Sequence, residues 1–173
     1  MTSLIFYSST DGHTRKIAET MAQDWLGRVY VLPLADFSEW QADDRIQCVV
    51  IGASVRYGHF QDELIKTVSQ HKAWLNERKS AFFGVNLSAR KSGRDDPARS
   101  PYIQNFLRAT AWQPDHLALF AGKLNYPSYR FFDKQMIRLI MKMTGGCADG
   151  TSIIEYTDWQ AVLRFAQTLS DFS

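Results

Sequence analysis

Cysteine is scarce in this chain: its 173 residues contain two, Cys48 and Cys147. They lie far apart, with no CxxC and no His/Cys spacing around either. Neither a disulfide framework nor a zinc site is expected, no metal is assigned, and the usage fits a reducing cytoplasm. Charge of one sign is also missing. The formal net charge of +2 is too small to argue for a nucleic-acid partner. No apolar run reaches the ~20 residues that a spanning helix needs. The chain opens directly into a short apolar strand without a charged leader, so no signal peptide is expected. Both the GxGxxG and the GxxxxGK(S/T) nucleotide loops are absent. No Ser/His/Asp or Cys/His set can be assembled from the spacing, and no catalytic acid, base or nucleophile is named.

What the chain does have is a core-forming composition, 45% hydrophobic and 13% aromatic, enough for one domain over 1–173. Apolar runs at Leu4–Tyr7, Val29–Leu34, Cys48–Ile51, Ala81–Val85 and Leu117–Phe120 read as strands. Helical spacing runs through Thr14–Leu26, Gln61–Leu75, a segment opened by Pro101, and a last segment capped by Thr157 or Asp158. Residues 35–45 look irregular, and Ser152–Tyr156 reads as a further short strand. Continuously apolar strands alternating with helices predict an α/β fold with a parallel sheet buried on both faces. The common solution at this length is a flavodoxin-like doubly wound sheet of five strands in the order 2-1-3-4-5.

That topology gathers the loops Ser8–Thr14, Ala53–His59 and Asn86–Ser92 at one end of the sheet. In the first, a strand opens through Ser8-Ser9-Thr10-Asp11-Gly12-His13-Thr14 into a helix, whose leading N–H groups and dipole favour an anion. Without a lysine after the glycine, the loop suits one phosphate monoester held by neutral donors. In the second, Gly58 permits close backbone approach and Tyr57 offers a flat face for a planar ring. In the third, Asn86 and Ser88 can bond a polar ring edge. Arg56, Arg90 and Lys91 add positive charge for an anionic substrate group.

Ser9-Thr10-Asp11-Gly12-His13-Thr14 resembles the phosphate loop of flavodoxins, which bind FMN. Together with Ala53–His59, Val85–Lys91, Ile137–Gly146 and Glu155–Trp159, it is similar to the menaquinone-dependent protoporphyrinogen oxidases of bacterial haem synthesis. The likeness spans nearly the whole chain. It implies FMN held by Ser9, Thr10, Asp11, Gly12, His13 and Thr14 at the phosphate. Around the ring it implies Ser54, Val55, Arg56, Tyr57, Gly58, Asn86, Leu87, Ser88 and Ala89. It further implies oxidation of protoporphyrinogen IX, with electrons passed to menaquinone or ubiquinone at the cytoplasmic face of the bacterial inner membrane. Asp11 departs from ordinary flavodoxins, which place a hydroxyl residue there; its carboxylate repels a phosphate unless it turns away or caps the helix. A flavodoxin that only carries electrons and another FMN-dependent quinone reductase are the alternatives. A phosphorylated receiver module is excluded, because Ile51-Gly52-Ala53-Ser54 offers no aspartate at the end of the third strand.

The segment 122–150 is an insertion beside the fifth strand. Its Tyr129–Met143 stretch predicts a helix of about 22 Å. Arg130, Lys134, Arg138 and Lys142 recur every four residues and span an arc of ~120°. Tyr129, Phe132, Met136, Leu139, Ile140 and Met143 take the opposite arc. Phe131, Ile137 and Met141 fall on the basic side, where a greasy interface would accept them. From Lys123 to Met143 the charge is +4, which leaves −2 for the rest of the chain. The expectation is a helix lying on an anionic membrane surface; the alternative is an apolar arc packed on the protein's own core with the basic arc solvated.

Overall fold

The computed structural model describes every residue except Met1, Ala42 and Ser173. Five strands form one parallel sheet in the order β2-β1-β3-β4-β5. They are β1 (Thr2–Ser8), β2 (Arg28–Pro33), β3 (Ile46–Ser54), β4 (Lys79–Asn86) and β5 (His116–Ala121). The sequence-predicted order is the observed one. Residues 35–45, read as irregular, contain a 3-10 helix over Leu34–Trp40; residue 42 of that segment lies outside the described residues.

Two cores follow from the period of the strands. Side chains at alternate positions point to opposite faces. Leu4, Phe6, Val49, Ile51 and Phe82 therefore share one face, packed with Leu64 and Val68 of α2 (Asp62–Asn76) and Ile103 and Phe106 of α3 (Pro101–Thr110). Ile5, Cys48, Val50, Phe83 and Phe120 share the other, packed with Ile17 and Met21 of α1 (His13–Gln23) and Val162 and Leu169 of α5 (Trp159–Phe172). Cys48 is a sealed core thiol, its pKa pushed up to about 12 by burial. Pairing of Ser8 with Ala53 and of Ser54 with Val85 sets the carboxyl ends of β1, β3 and β4 side by side. The strand order reverses between β1 and β3, which is where doubly wound sheets hold their ligands.

The insertion builds a third, small core. β6 (Lys123–Asn125) pairs antiparallel with β7 (Ile153–Glu155), outside the main sheet. Leu124, Tyr126 and Met141 of α4 (Phe131–Met143) are buried together beside Ile137, Ile154 and Leu87. This corrects the expectation for Ile137 and Met141. They sit on the basic side of α4 because that side docks on the protein itself, half-burying Lys134 and Arg138. Arg138 Nε donates to the Ala148 carbonyl at 3.0 Å. The opposite arc is left largely uncovered, with Phe132 84%, Met143 79% and Leu139 59% exposed, and Phe131 at the edge of the basic side is 69% exposed as well.

Candidate functional site

The turn after β1 is organised from within. Gly12 stands at φ +84°, the left-handed region that a glycine adopts without strain, and caps α1. Its N–H donates to Ser9 Oγ at 3.0 Å, and the His13 N–H donates to Asp11 Oδ1 at 3.2 Å. Asp11 thus takes up the first N–H of α1 from the position before the Gly12 cap, and it also lines the cavity described below. Its other oxygen lies 3.7 Å from Arg56. Gln61 bridges the turn to the second loop, donating to Thr10 Oγ1 and accepting from Ser8 Oγ, each at 3.1 Å. Thr14, one residue further on, is fully buried, and its Oγ1 has no partner.

His13 takes a structural position. The Thr157 hydroxyl donates to the Ala121 carbonyl at 2.7 Å, which only accepts. His13 Nε2 must therefore carry the proton it shares with Thr157 at 2.6 Å. Nδ1 is left 4.0 Å from Glu155, which also accepts from Lys16 and from Trp159 Nε1. Burial lowers the His13 pKa, and the Glu155 and Asp11 charges only partly oppose it.

The second loop is a hairpin tip. Arg56 and His59 exchange both backbone hydrogen bonds around Tyr57 (φ +51°) and Gly58 (φ +84°), the pattern of a type I′ turn. A left-handed conformation at tyrosine costs about 1–2 kcal/mol. It holds the ring outward, 63% exposed, with its phenol donating to Asp133 of α4. That bond pushes the Tyr57 pKa up. In the third loop, Asn86 Oδ1 accepts from Ser88 Oγ and the Ala89 N–H, while Asn86 Nδ2 is buried without a partner.

These loops enclose a cavity of ≈ 460 Å³. Asp11, His13, Thr14, Ser54, Val55, Arg56, Tyr57, Gly58, Asn86, Leu87 and Ser88 line it, as the sequence leads one to expect. Ser9, Thr10 and Gly12 shape the turn without lining the cavity, and Ala89 is buried in the sheet core. Arg90 is committed elsewhere: it donates to the Leu87 carbonyl and to Thr144 of the insertion. Lys91 is exposed and lines no part of it. Sequence reasoning missed the far wall, where α4 contributes Asp133, Met136, Ile137 and Ile140 beside Tyr129 and Tyr102. Ile137, an apolar residue on the basic side of that helix, was the one signal in the sequence; Met136 and Ile140 lie on the apolar arc and gave none.

Three buried polar atoms around this one cavity, Thr14 Oγ1, Ser54 Oγ and Asn86 Nδ2, have no hydrogen-bond partner. Buried polar groups are ordinarily satisfied, so this set fits a polar ligand with several acceptors and donors. A flavin phosphate at Thr14 and a flavin ring edge at Asn86 match the donor chemistry. Among the described residues no group of three or more His, Cys, Asp or Glu side chains is placed to hold a metal ion.

A flavodoxin-domain model matches residues 4–151. A protein from Escherichia coli strain K12, named protoporphyrinogen IX dehydrogenase (quinone), is 41% identical over 175 residues, covering 98% of this chain and 95% of that one. A Leishmania major protein of the same name is 44% identical over 174 residues, covering 98% of this chain and 74% of its own. Among solved structures, an archaeal flavodoxin superposes with TM-score 0.55 at 16% identity, covering 99% of this chain and 98% of the other. Oxidised flavodoxin 2 from Bacillus cereus gives 0.55 at 16% identity, covering 100% of each. The two structural likenesses bear on the fold alone.

Proposed function

This chain belongs to the flavodoxin family and, within it, to the quinone-dependent protoporphyrinogen IX dehydrogenases, and from that membership we propose how it works. It is an oxidoreductase that binds FMN and oxidises protoporphyrinogen IX to protoporphyrin IX. Its electrons pass to menaquinone or ubiquinone at the cytoplasmic face of the bacterial inner membrane. The observation that carries the cofactor reading is the trio of unpartnered polar atoms around one cavity. Thr14, with the leading N–H groups of α1, holds the phosphate; Ser9 and Asp11 keep the turn in shape. Ser54 and Asn86 bond the ring edge, and the hairpin of Tyr57 and Gly58 flanks it.

A bound flavin supplies the two-electron chemistry, accepting hydride from the substrate and returning electrons to a quinone. The chain's part is placement and exclusion of water. Met136, Ile137 and Ile140 make the facing wall apolar, which suits the hydrocarbon rim of a porphyrinogen better than water. The Tyr57–Asp133 hydrogen bond ties that wall to the ring-binding hairpin. Buried His13, hydrogen-bonded to Thr157, joins the start of α1 to the segment after β7.

Attachment to the bilayer belongs to α4. No helix among the described residues is long and apolar enough to cross a membrane. The uncovered arc of Phe131, Phe132, Leu139 and Met143 is flanked by exposed Arg130 and Lys142, the composition of a helix that lies in an interface. The test of the whole reading is anaerobic oxidation of protoporphyrinogen IX by the FMN-loaded protein with added menaquinone. Porphyrin should appear in step with menaquinol. A protein that takes up FMN yet leaves porphyrinogen at the uncatalysed rate would be an electron carrier instead.

A further inference from the structure

A second cavity, of ≈ 250 Å³, adjoins the first and shares Asn86, Ser88 and Tyr102 with it. We propose that it receives a carboxylate of the porphyrinogen substrate, gripped by Arg94 and Arg99; this rests on the oxidase reading above. The shared wall matters. A substrate lying between the Asn86 edge and the α4 wall has its next atoms at the mouth of the smaller one.

The charge around this annex is set for an anion. Arg94 and Arg99 both line it, both are exposed, and among the described residues neither guanidinium is engaged in a hydrogen bond or ion pair. The single acid in the lining, Asp96, is turned to its own loop, where Oδ1 accepts from the Ala98 N–H at 2.9 Å. Ser100 and Pro101, at the start of α3, complete the wall, with Ser100 Oγ capping that helix by accepting from the Ile103 N–H.

The loop presents its two arginines in a fixed frame. The Arg94 N–H donates to the Lys91 carbonyl at 2.9 Å, the Arg99 N–H to Asp96 at 3.2 Å, and the Ser100 N–H to Pro97 at 3.3 Å. Tight turns thus shape residues 91–100 without using either guanidinium. The other basic candidates are occupied or distant: Arg56 faces Asp11, Arg90 holds Thr144, and Lys91 lines neither cavity. Guanidinium groups match carboxylates through paired N–H donors. Protoporphyrinogen IX carries its propionates along one edge and hydrocarbon around the rest. The annex fixes that edge beside the loop after β4 and leaves the hydrocarbon edge to Met136, Ile137 and Ile140.

The experiment compares the flavin-loaded wild type with Arg94→Gln, Arg99→Gln and the double variant on protoporphyrinogen IX and on its dimethyl ester. For the diacid, KM should rise roughly tenfold for each single variant and further for the double, with kcat unchanged. For the dimethyl ester all four proteins should share one KM, because the carboxylates are gone. Binding of protoporphyrin IX without turnover, read by fluorescence, should weaken in parallel, while FMN affinity stays at the wild-type value. Equal KM values for the diacid across the four proteins would overturn the inference, as would an equal rise for diacid and ester. A wild type that fails to oxidise either substrate would overturn the oxidase reading itself.

Discussion

The cavity at the carboxyl end of the sheet and the outer face of α4 break the ordinary rules of burial in opposite senses. Around the cavity, Thr14 Oγ1, Ser54 Oγ and Asn86 Nδ2 are polar atoms hidden from water with nothing to bond. On α4, Phe131, Phe132, Leu139 and Met143 are apolar side chains left in water with nothing to cover them. Each is unfavourable in the protein alone, the first by an unmet hydrogen bond and the second by exposed hydrocarbon. The pair teaches that the two regions ask for different partners. In the proposed function a polar, phosphate-bearing ligand would relieve the inside and a lipid surface the outside.

The largest expected effect breaks the outer half. Replacing Phe131, Phe132 and Leu139 together by Ser should weaken sedimentation with anionic vesicles by at least about a hundredfold, since burying each such side chain is worth about 1.5–3 kcal/mol. FMN binding should remain, because none of the three lines the cavity. Equal co-sedimentation of variant and wild type would show that another surface meets the lipid.

The inner half is broken by Thr14→Val, which keeps the shape and removes the hydroxyl. FMN affinity should fall by roughly ten- to a hundredfold, the worth of a hydrogen bond to a charged group. The flavin-free protein should be as stable as wild type or more so, because a buried hydroxyl without a partner is lost. Isothermal titration for the first and thermal melts for the second give opposite signs in one variant. A flavin-free protein that melts lower while FMN affinity is unchanged would make Thr14 a packing residue only.

A smaller effect separates charge from grease on α4. Arg130→Gln with Lys142→Gln should cost about 2 kcal/mol of attachment at low salt, at ~1 kcal/mol for each basic residue, and much less at high salt. Lys134 and Arg138, half-buried on the docked side, should contribute less when changed in the same way.

The smallest effect is the pH dependence of the His13 contact. Its folded pKa lies below the ordinary 6.5 because burial disfavours the charged ring. The unfolded chain therefore binds the proton first, so this residue's contribution is intact above about 6.5 and is lost as pH falls through that value toward the lower folded one. Melting temperatures of the wild type should decline across that window, and those of His13→Gln should decline less. Parallel curves would assign the pH dependence to other groups.

Much of this comparison was legible in the residues. The buried runs at Leu4–Tyr7 and Cys48–Ile51 fixed a parallel sheet, and the hydroxyl-rich turn at Ser9–Thr14 marked its ligand end. The role of α4 was only half legible. Spacing alone showed a basic arc and an apolar arc, but either can face the body. Ile137 and Met141 decide it by packing on Leu124 and Tyr126, contacts made across the chain. For the same reason Asp133 and Ile140 were missed as cavity wall, and Arg90 looked free although Thr144 holds it. β7 falls within the short strand read at Ser152–Tyr156, but β6, three residues long, is too short for any period to show, and its pairing was not anticipated.

The most direct measurement is turnover with the quinone confined to a bilayer. FMN-loaded wild type and the Phe131→Ser, Phe132→Ser, Leu139→Ser variant are each given protoporphyrinogen IX, first with menaquinone in anionic vesicles, then with a water-soluble quinone. Both proteins should form porphyrin with the soluble acceptor, and only the wild type should do so efficiently with vesicles. Equal rates with vesicle-borne menaquinone would contradict the assignment of the two regions to two partners.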